Sequence, residues 1–555
     1  MSDLLKPNRK VSGGLQEKSF FRAPYHSGHH PIKLGYLGLS VESGDSIAKL
    51  LLHPAASPHS QHIAKSDPTR IRLNQGATIS MKRWILKSAL ALVATSILGL
   101  ASAQAGFELP PVITDHMVLQ RSKPIVLWGW DAPGQQVNVT LAGSNAKATA
   151  DGQGRWQVTL PALPAGGPHE IQIQGSVSVT VKDVLVGEVW VCSGQSNMEW
   201  NVAQSNNPQE EIAAANYPRI RHIKVPHIPA DKAQRNVAAG GWTVCSPATV
   251  ANYTAVGYYF ARELQKNLDG VPIGLIGSNW GGTRIEPWTP PIGFQSVPAL
   301  KDITDKLAEY PTKDAKGQIN FQTPLALYNG MIAPFVPYAI RGSLWYQGES
   351  NNGEGMLYME KMKALIGGWR SIWKDPEMPF YFVQLAPYIY GKTNAENLAG
   401  IWEAQAKSLA IPHTGMAVTV DIGNTKDIHP KNKQDVGKRL ALWALAKDYG
   451  KKDLVYSGPL YKSHAVDNGA IRVSFDHVGG GLVSRDGQPL SWWQVAGQDG
   501  QFKKAEATID GDTVVVKSAE VAAPVAVRFG WDQEAEPNLS NKAGLPASPF
   551  RAGGK

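Results

Sequence analysis

Cysteine and metal-binding spacings are scarce in this sequence. Only Cys192 and Cys245 occur among 555 residues, too few for a disulfide-stabilised scaffold. Both stand in strand-like or aromatic surroundings, so one disulfide and two buried thiols are equally open interpretations. Neither CxxC nor HExxH spacing occurs, and we expect no metal and no other cofactor.

An excess of charge is missing from the body of the chain. The formal net charge is +9, but residues 1–80 hold 10 Lys or Arg against 5 Asp or Glu, and Lys82, Arg83 and Lys87 follow. The remainder is therefore close to neutral, whereas a nucleic-acid surface needs clustered basic residues. We expect no nucleic-acid partner.

The composition is that of a loop-rich globular protein. Hydrophobic residues make up 43% and charged residues 18%, with 55 Gly and 38 Pro. These values exclude a coiled coil, collagen and a disordered chain. The length allows about two to four domains.

A short targeting segment lies away from the start of the chain. Lys82 and Arg83 precede the uncharged apolar run 88–100, and small residues follow at 101–105, the pattern of a secretory signal peptide. The run is shorter than the roughly 20 apolar residues that cross a bilayer. We therefore expect a signal peptide at 81–105 with its natural start at Met81, and a non-native or disordered extension at 1–80. The mature protein is expected to be periplasmic or secreted, without a stable membrane span.

Three regions with different patterns follow the signal peptide. Residues 106–183 and 454–555 alternate short β-type runs with turn residues, which predicts N- and C-terminal β-sandwich-type modules. Residues 184–453 alternate apolar strand-like runs with helical patterns, typical of a parallel sheet with helices on both faces. The predicted strands are 184–192, 273–277, 340–346, 380–385 and 416–421, and the predicted helices include 254–267 and 432–448.

Polar loops follow four of these strands, and three of the loops contain glycine. The carboxyl ends of parallel strands meet at one edge of an open sheet, where ligands bind. We therefore expect the four loops to form one active site. Their central segments are 194–198, 280–288, 347–351 and 427–430.

Ser196 and His429 have the residue types and the order of a serine hydrolase. Ser196 stands at a tight turn after Gly194, and a serine hydroxyl needs a base to act as a nucleophile at neutral pH. His429 follows the last predicted strand, and Asp427 lies two residues earlier, where it is the local candidate to orient the imidazole. The sequence thus predicts Ser196 as nucleophile, His429 as base and Asp427 as acid.

Several rare blocks occur together and in order. They are GQSNM at 194–198, GGTRIEPW at 281–288, WYQGESN at 345–351, DIHP at 427–430 and NLSNKAGLPASPFR at 538–551. Together they resemble the sialate O-acetylesterase-like branch of the SGNH hydrolases. The resemblance implies a flavodoxin-like α/β SGNH domain, flanked by the β-modules, that removes O-acetyl groups from carbohydrate.

The resemblance also implies an oxyanion hole. Its donors would be the N–H of Ser196, a glycine N–H and a side-chain amide. Gly282 is preferred over Gly281 as the glycine, and the amide would come from Asn351 or Gln347.

The acid is the least determined member of the triad. Many SGNH hydrolases place it three residues before the histidine, where this chain has Lys426. Asp421, Glu349 or a backbone carbonyl therefore remain alternatives to Asp427. Glu349 with Asp427 would also suit a glycosidase, but that hypothesis gives the Ser196 turn no role.

The expected substrate is an acetylated oligo- or polysaccharide. Arg284, Glu286 and Glu349 are predicted to line its cleft, although an internal ion pair explains Arg284 and Glu286 equally well. Sialic acid and plant hemicelluloses such as xylan or xyloglucan remain open as the sugar. A lipase or phospholipase would need an apolar cleft, and a noncatalytic carbohydrate-binding envelope protein would not need both Ser196 and His429.

If residues 81–105 are a cleaved signal peptide, the exported protein begins between Gln104 and Phe107. Mass spectrometry of the N-terminal peptide from periplasm or culture medium measures this directly. Peptides from residues 1–80 in the protein of its natural host would contradict the predicted start.

Overall fold

The computed structural model describes residues 106–391 and 394–554. The predicted extension and signal peptide, residues 1–105, lie outside the described residues. Within the described ranges the expected α/β architecture with additional β-sheets is confirmed. No helix in these ranges is both long enough and apolar enough to cross a bilayer.

Short strands, most of them antiparallel, build the N-terminal region. Alternate residues of the third and fifth strands are buried, as expected for strands with one face on a core. The second strand pairs with the fifth, and the third pairs with the fourth and sixth. The strands are β1 (Val118–Gln120), β2 (Ile125–Trp130), β3 (Gln136–Leu141), β4 (Ser144–Thr149), β5 (Arg155–Leu160) and β6 (Gly166–Gln174).

The next strand, β7 (Ser178–Gly194), crosses the expected domain boundary at residue 184. Its first part pairs with β1 and β6. From Glu188 onward it pairs with strands of the central sheet, and every residue from Val184 to Gly194 is buried. One continuous strand therefore belongs to both regions.

The central sheet has the strand order of a doubly wound fold. Its sequence is β13-β12-β11-β7-β10-β8-β9, and all neighbours are parallel except β8 and β9. The five strands from β10 to β13 including β7 follow the flavodoxin-like order 2-1-3-4-5, and β8 and β9 extend the sheet beyond β10. The strands are β8 (Tyr217–Lys224), β9 (Thr243–Cys245), β10 (Ile273–Asn279), β11 (Gly342–Tyr346), β12 (Phe380–Val383) and β13 (Thr414–Ala417).

Two groups of helices pack around this sheet. Helix α3 packs against α8, and α6 packs against α4 and α7. The sequence predicted α3 and α8 to within one residue at each end. The helices are α1 (Ser196–Glu199), α2 (Pro208–Ala213), α3 (Ala255–Asn267), α4 (Pro291–Gln295), α5 (Lys301–Thr304), α6 (Leu357–Trp373), α7 (Asn397–Lys407) and α8 (Lys433–Lys447).

Residues 460–553 form three small sheets around a separate core. The sheets have the orders β14-β15-β20-β19, β18-β17-β21-β23 and β16-β22, and Trp493, Phe529 and Phe550 pack together between them. The strands are β14 (Leu460–Asp467), β15 (Ala470–Asp476), β16 (Leu482–Ser484), β17 (Trp493–Ala496), β18 (Lys503–Lys504), β19 (Glu506–Asp510), β20 (Thr513–Lys517), β21 (Ala526–Phe529), β22 (Leu539–Asn541) and β23 (Phe550–Gly553).

The two cysteines are unpaired. Cys192 lies on β7 and Cys245 on β9, and both side chains are buried. Burial raises the pKa of Cys245 to about 12 and that of Cys192 still further, so both remain uncharged thiols at neutral pH. The structure therefore shows two buried thiols and not a disulfide.

Helices α3 and α8 pack closely at Gly437, and this contact leads to a stability prediction. A Cβ there would lie 2.7 Å from the Phe260 nitrogen and 2.8 Å from the Val256 oxygen. Gly437→Ala is expected to destabilise the protein by about 1–3 kcal/mol, because the helix backbones must separate. Gly367→Ala, in α6 with no atom within 4 Å of the new Cβ, should instead be neutral or stabilising by up to about 1 kcal/mol. Urea unfolding measures both, and equal effects would contradict the close packing.

Candidate active site

Ser196 follows β7, beside the point where the strand order reverses between β7 and β11. Gly194 has a φ of +132°, and a Cβ there would overlap the carbonyl group of Tyr346 on β11, so this turn requires glycine. The Gln195 N–H donates to the same Tyr346 oxygen over 3.0 Å. The chain then enters α1, and Ser196 is the first residue after Asp183 that is not fully buried.

His429 lies within hydrogen-bond distance of Ser196. The distance from its Nε2 to the Ser196 Oγ is 2.8 Å. Trp200 stacks on the imidazole, with ring centroids 4.7 Å apart and an angle of 17° between the planes, which restricts the ring orientation. Burial and the positive charge of Lys433 lower the pKa of His429, and Asp427 opposes them. The neutral imidazole favoured by this balance can accept the Ser196 proton.

Asp427 contacts the backbone of His429 rather than its ring. Its Oδ1 accepts the His429 backbone N–H over 2.9 Å, the geometry of an Asx turn. No acceptor for His429 Nδ1 is present among the described residues. Of the alternatives, Asp421 is paired with Arg439 at 2.6 Å, and the Glu349 carboxylate accepts from Asn197 over 2.6 Å. Of the three candidate acids, Asp427 is the one that the structure places next to His429. It acts on His429 through the backbone hydrogen bond of the turn and through its charge.

Two backbone N–H groups near Ser196 are free to bind an oxyanion. Neither the N–H of Ser196 nor that of Gly282 has an acceptor within the described ranges. The glycine loop lies against the nucleophile, since a Cβ on Gly281 would be 3.3 Å from the Ser196 Cβ. Gly281 itself donates to Glu199 over 2.8 Å, so Gly282 is the available glycine. Its φ of +73° with open space beyond its Cα suits a residue that faces a ligand.

The two side-chain amides expected in the oxyanion hole are used elsewhere. Gln347 and Asn351 are fully buried. The Gln347 amide donates to oxygens of Gln195, Thr283 and Asn351, and the Asn351 amide donates to two carboxylates. Both N–H groups of each amide are therefore occupied. This structure does not bring either amide to Ser196, because both tie the second and third loops together.

Arg284 and Glu286 form an ion network with Glu354 and Lys361. Glu286 Oε1 lies 2.9 Å from Arg284 and 2.7 Å from Lys361, and Glu354 contacts both cations. Although burial alone would raise it, Lys361 and Arg284 lower the pKa of Glu286 to about 2. The alternative interpretation, an internal ion pair, fits these residues. Glu349, the third predicted substrate residue, is buried and does not line the cavity either.

A cavity of about 750 Å³ opens beside Ser196 and His429. Its size falls in the range of small-molecule sites. Amide, hydroxyl and aromatic groups dominate its walls, with one glutamate and one lysine. Besides the two reacting residues, the lining includes Glu199, Trp200, Asn201, Gln204, His222, Lys224, Gly241, Thr243, Thr249, Asn252 and Tyr253.

Glu199 and Trp200 are site residues that the sequence analysis missed. The Glu199 carboxylate accepts from Gly281 and lies 2.8 Å from His227 and 3.2 Å from Lys224. Although burial would raise it, these partners lower the pKa of Glu199 to about 2. Their position, three and four residues after Ser196 and one helical turn along, was the available signal.

The sequence and the fold match known carbohydrate esterases. The family described as carbohydrate esterase, sialic acid-specific acetylesterase, matches residues 186–446. Sialate O-acetylesterases from Homo sapiens and Mus musculus are 33% and 31% identical, over 65% and 68% of this chain and 74% and 80% of theirs. The crystal structure of a carbohydrate acetylesterase from Xanthomonas citri superposes with a TM-score of 0.74 and 42% identity, covering 80% of this chain and 99% of that chain.

These relatives match about two thirds or more of the chain, and the segment that the family model matches holds Ser196, Gly282 and His429. The chain therefore belongs to the sialate O-acetylesterase family of carbohydrate esterases.

Proposed function

We propose that this carbohydrate O-acetylesterase acts through an acetyl-enzyme formed on Ser196, with His429 as general base and then general acid. The observation that carries the proposal is the 2.8 Å contact between Ser196 Oγ and His429 Nε2 at the wall of the cavity. A base in contact with a serine hydroxyl is the arrangement that activates it. The free N–H groups of Ser196 and Gly282 supply the oxyanion site.

The reaction then has two halves. Ser196 Oγ attacks the acetyl carbonyl carbon while its proton passes to His429 Nε2, and the N–H groups of Ser196 and Gly282 donate to the negative oxygen. Collapse of this intermediate breaks the bond to the sugar oxygen, which takes the proton from His429. Water, deprotonated by His429, attacks the acetyl-enzyme, and acetate leaves as Ser196 regains its proton.

Asp427 has a supporting role in this scheme. Its carboxylate holds the His429 backbone in place and opposes the lowering of the imidazole pKa. A negative charge at this position stabilises the imidazolium that forms when Ser196 loses its proton. We therefore keep Asp427 as the acid of the proposed Ser-His-Asp mechanism, acting through its charge and through the turn.

The proposed substrate is an O-acetylated glycan that reaches the protein outside the cytoplasm. Asn201, Gln204, Asn252 and Thr243 offer hydrogen-bond partners for sugar hydroxyls along the cavity. The relatives named above support acetylated sialosides, and the exported location predicted from residues 81–105 also suits plant hemicelluloses such as acetylated xylan or xyloglucan. Acetate release from a panel of these substrates decides between them.

Removing the nucleophile tests the proposed function. Ser196→Ala should lower kcat by roughly 10⁵- to 10⁶-fold while leaving the unfolding midpoint close to that of the wild type, because only one partly exposed hydroxyl is lost and no core volume. Acetate release and labelling by a serine-reactive phosphonate measure this. Ser350→Ala, in the neighbouring third loop, is the matched control and should keep both activity and labelling. Persistent labelling of the Ser196→Ala protein would contradict the assignment.

Asp427→Asn tests whether Asp427 acts through its charge and the backbone turn or through a direct bond to the His429 ring. The amide oxygen can still accept the His429 backbone N–H, so only the charge is lost. We expect kcat to fall by roughly 10- to 100-fold, the effect of an opposite charge nearby, while Asp421→Asn changes kcat by less than about threefold. A loss near 10⁴-fold is typical of an acid bonded to the ring and would contradict the backbone role. An unchanged kcat would exclude Asp427 from the mechanism.

A further inference from the structure

A buried lysine lies behind the two reacting residues and has no part in the steps above. Lys433, the first residue of α8, is fully buried. Its Nζ donates to the Asn197 Oδ1 over 2.6 Å. The same nitrogen lies 5.3 Å from the ring centroid of Tyr346 and 5.9 Å from that of Trp200, and Trp200 is the ring that stacks on His429.

Asn197 links this lysine to both reacting residues. It follows Ser196 in the chain, and its Nδ2 donates to the Ile428 carbonyl over 2.9 Å, one residue before His429. The same amide donates to Glu349 Oε1 over 2.6 Å. One side chain therefore bridges the nucleophile turn, the loop of the base, Lys433 and Glu349.

We propose that Lys433 is a positioning residue for the esterase reaction: through Asn197 it holds Ser196 and the 427–430 loop in register. Its charge lies against the Trp200 ring that stacks on His429, and it acts on the imidazole from there. This inference rests on the proposed roles of Ser196 and His429. It assigns a function to a buried cation that core packing alone does not explain, because an apolar side chain would fill the same space without the cost of desolvation.

The charges around Lys433 and His429 determine in which direction the pKa of each group is shifted. Glu349 and Asp427 are the acidic groups that act on Lys433, and Asp427 is the one that acts on His429. On the cavity side, Glu199 is paired with Lys224 and His227.

Lys433 is charged in the range where His429 titrates. Burial, opposed by Glu349, lowers the pKa of Lys433 to about 7, so most of it carries a proton below that pH. A charged Lys433 disfavours the imidazolium and lowers the pKa of His429. Activity is lost as the pH falls through the pKa of the base, so removing this charge raises that pKa and moves the loss to higher pH.

The pH profile of kcat/KM tests the proposal. In Lys433→Met the acid limb should move upward by about 0.5–1 pH unit, and kcat should fall because Asn197 loses a partner. Lys431→Met removes the same charge from an exposed side chain two residues from His429 and should leave the profile within about 0.2 unit of the wild type. NMR titration of the His429 imidazole gives its pKa independently of turnover.

A second variant covers the case in which Glu349, left without its cation, prevents folding. Glu349→Gln with Lys433→Met removes both buried charges and keeps an acceptor for Asn197, and its acid limb should also move upward. An unmoved acid limb and an unmoved His429 titration in a folded variant would overturn the role of Lys433. An equal shift in Lys431→Met would overturn it too, since any nearby charge would then suffice. Turnover that survives Ser196→Ala would instead refute the proposed function itself.

Discussion

The parallel pairing of β7 with β11 on one side and β10 on the other is the constraint on which the site depends. It brings the ends of three strands to one edge, so that the nucleophile turn begins between the glycine loop on one side and the third loop on the other. Gly194 can pass the Tyr346 carbonyl only because it has no side chain. The Gln195 side chain then accepts from the Gln347 amide and the Ser350 N–H, which fixes the third loop to the first.

The reacting residues were easier to predict from the sequence than the residues that position them. Ser196, Gly282 and His429 stand at glycine-marked or loop positions after strands, and strand order converts such positions into proximity. The sequence does not indicate in which direction a buried amide points. Gln347 or Asn351 was therefore expected to bind the oxyanion, whereas in the structure both amides donate to protein oxygens. Strand β8 was missed because Arg219, Arg221 and Lys224 interrupt its apolar pattern.

Two hydrogen-bonded networks of polar and charged side chains connect the loops of the site to helices. Arg284, Glu286, Glu354 and Lys361 join the second and third loops to α6, and Lys433, Asn197 and Glu349 join the first and third loops to α8. Buried ion pairs add little net stability, because desolvation offsets their attraction. Their directional hydrogen bonds fix the separation of loops that apolar contacts would hold less exactly in place. The sequence carries no signal for Lys433, because this residue lies before Val436, the first buried apolar residue of α8.

Strand β7 separates two meanings of the word domain. The family match begins at residue 186, in the middle of this strand. The segment that is similar in sequence across the family is therefore not a segment that can fold when it is cut out of the chain. Its amino-terminal half already belongs to the ladder with β1 and β6. A chain shortened to the matched segment would begin inside the central strand of its own sheet and lose the neighbours that anchor it. Exchange of the N-terminal region between relatives therefore requires that the whole of β7 travel with it.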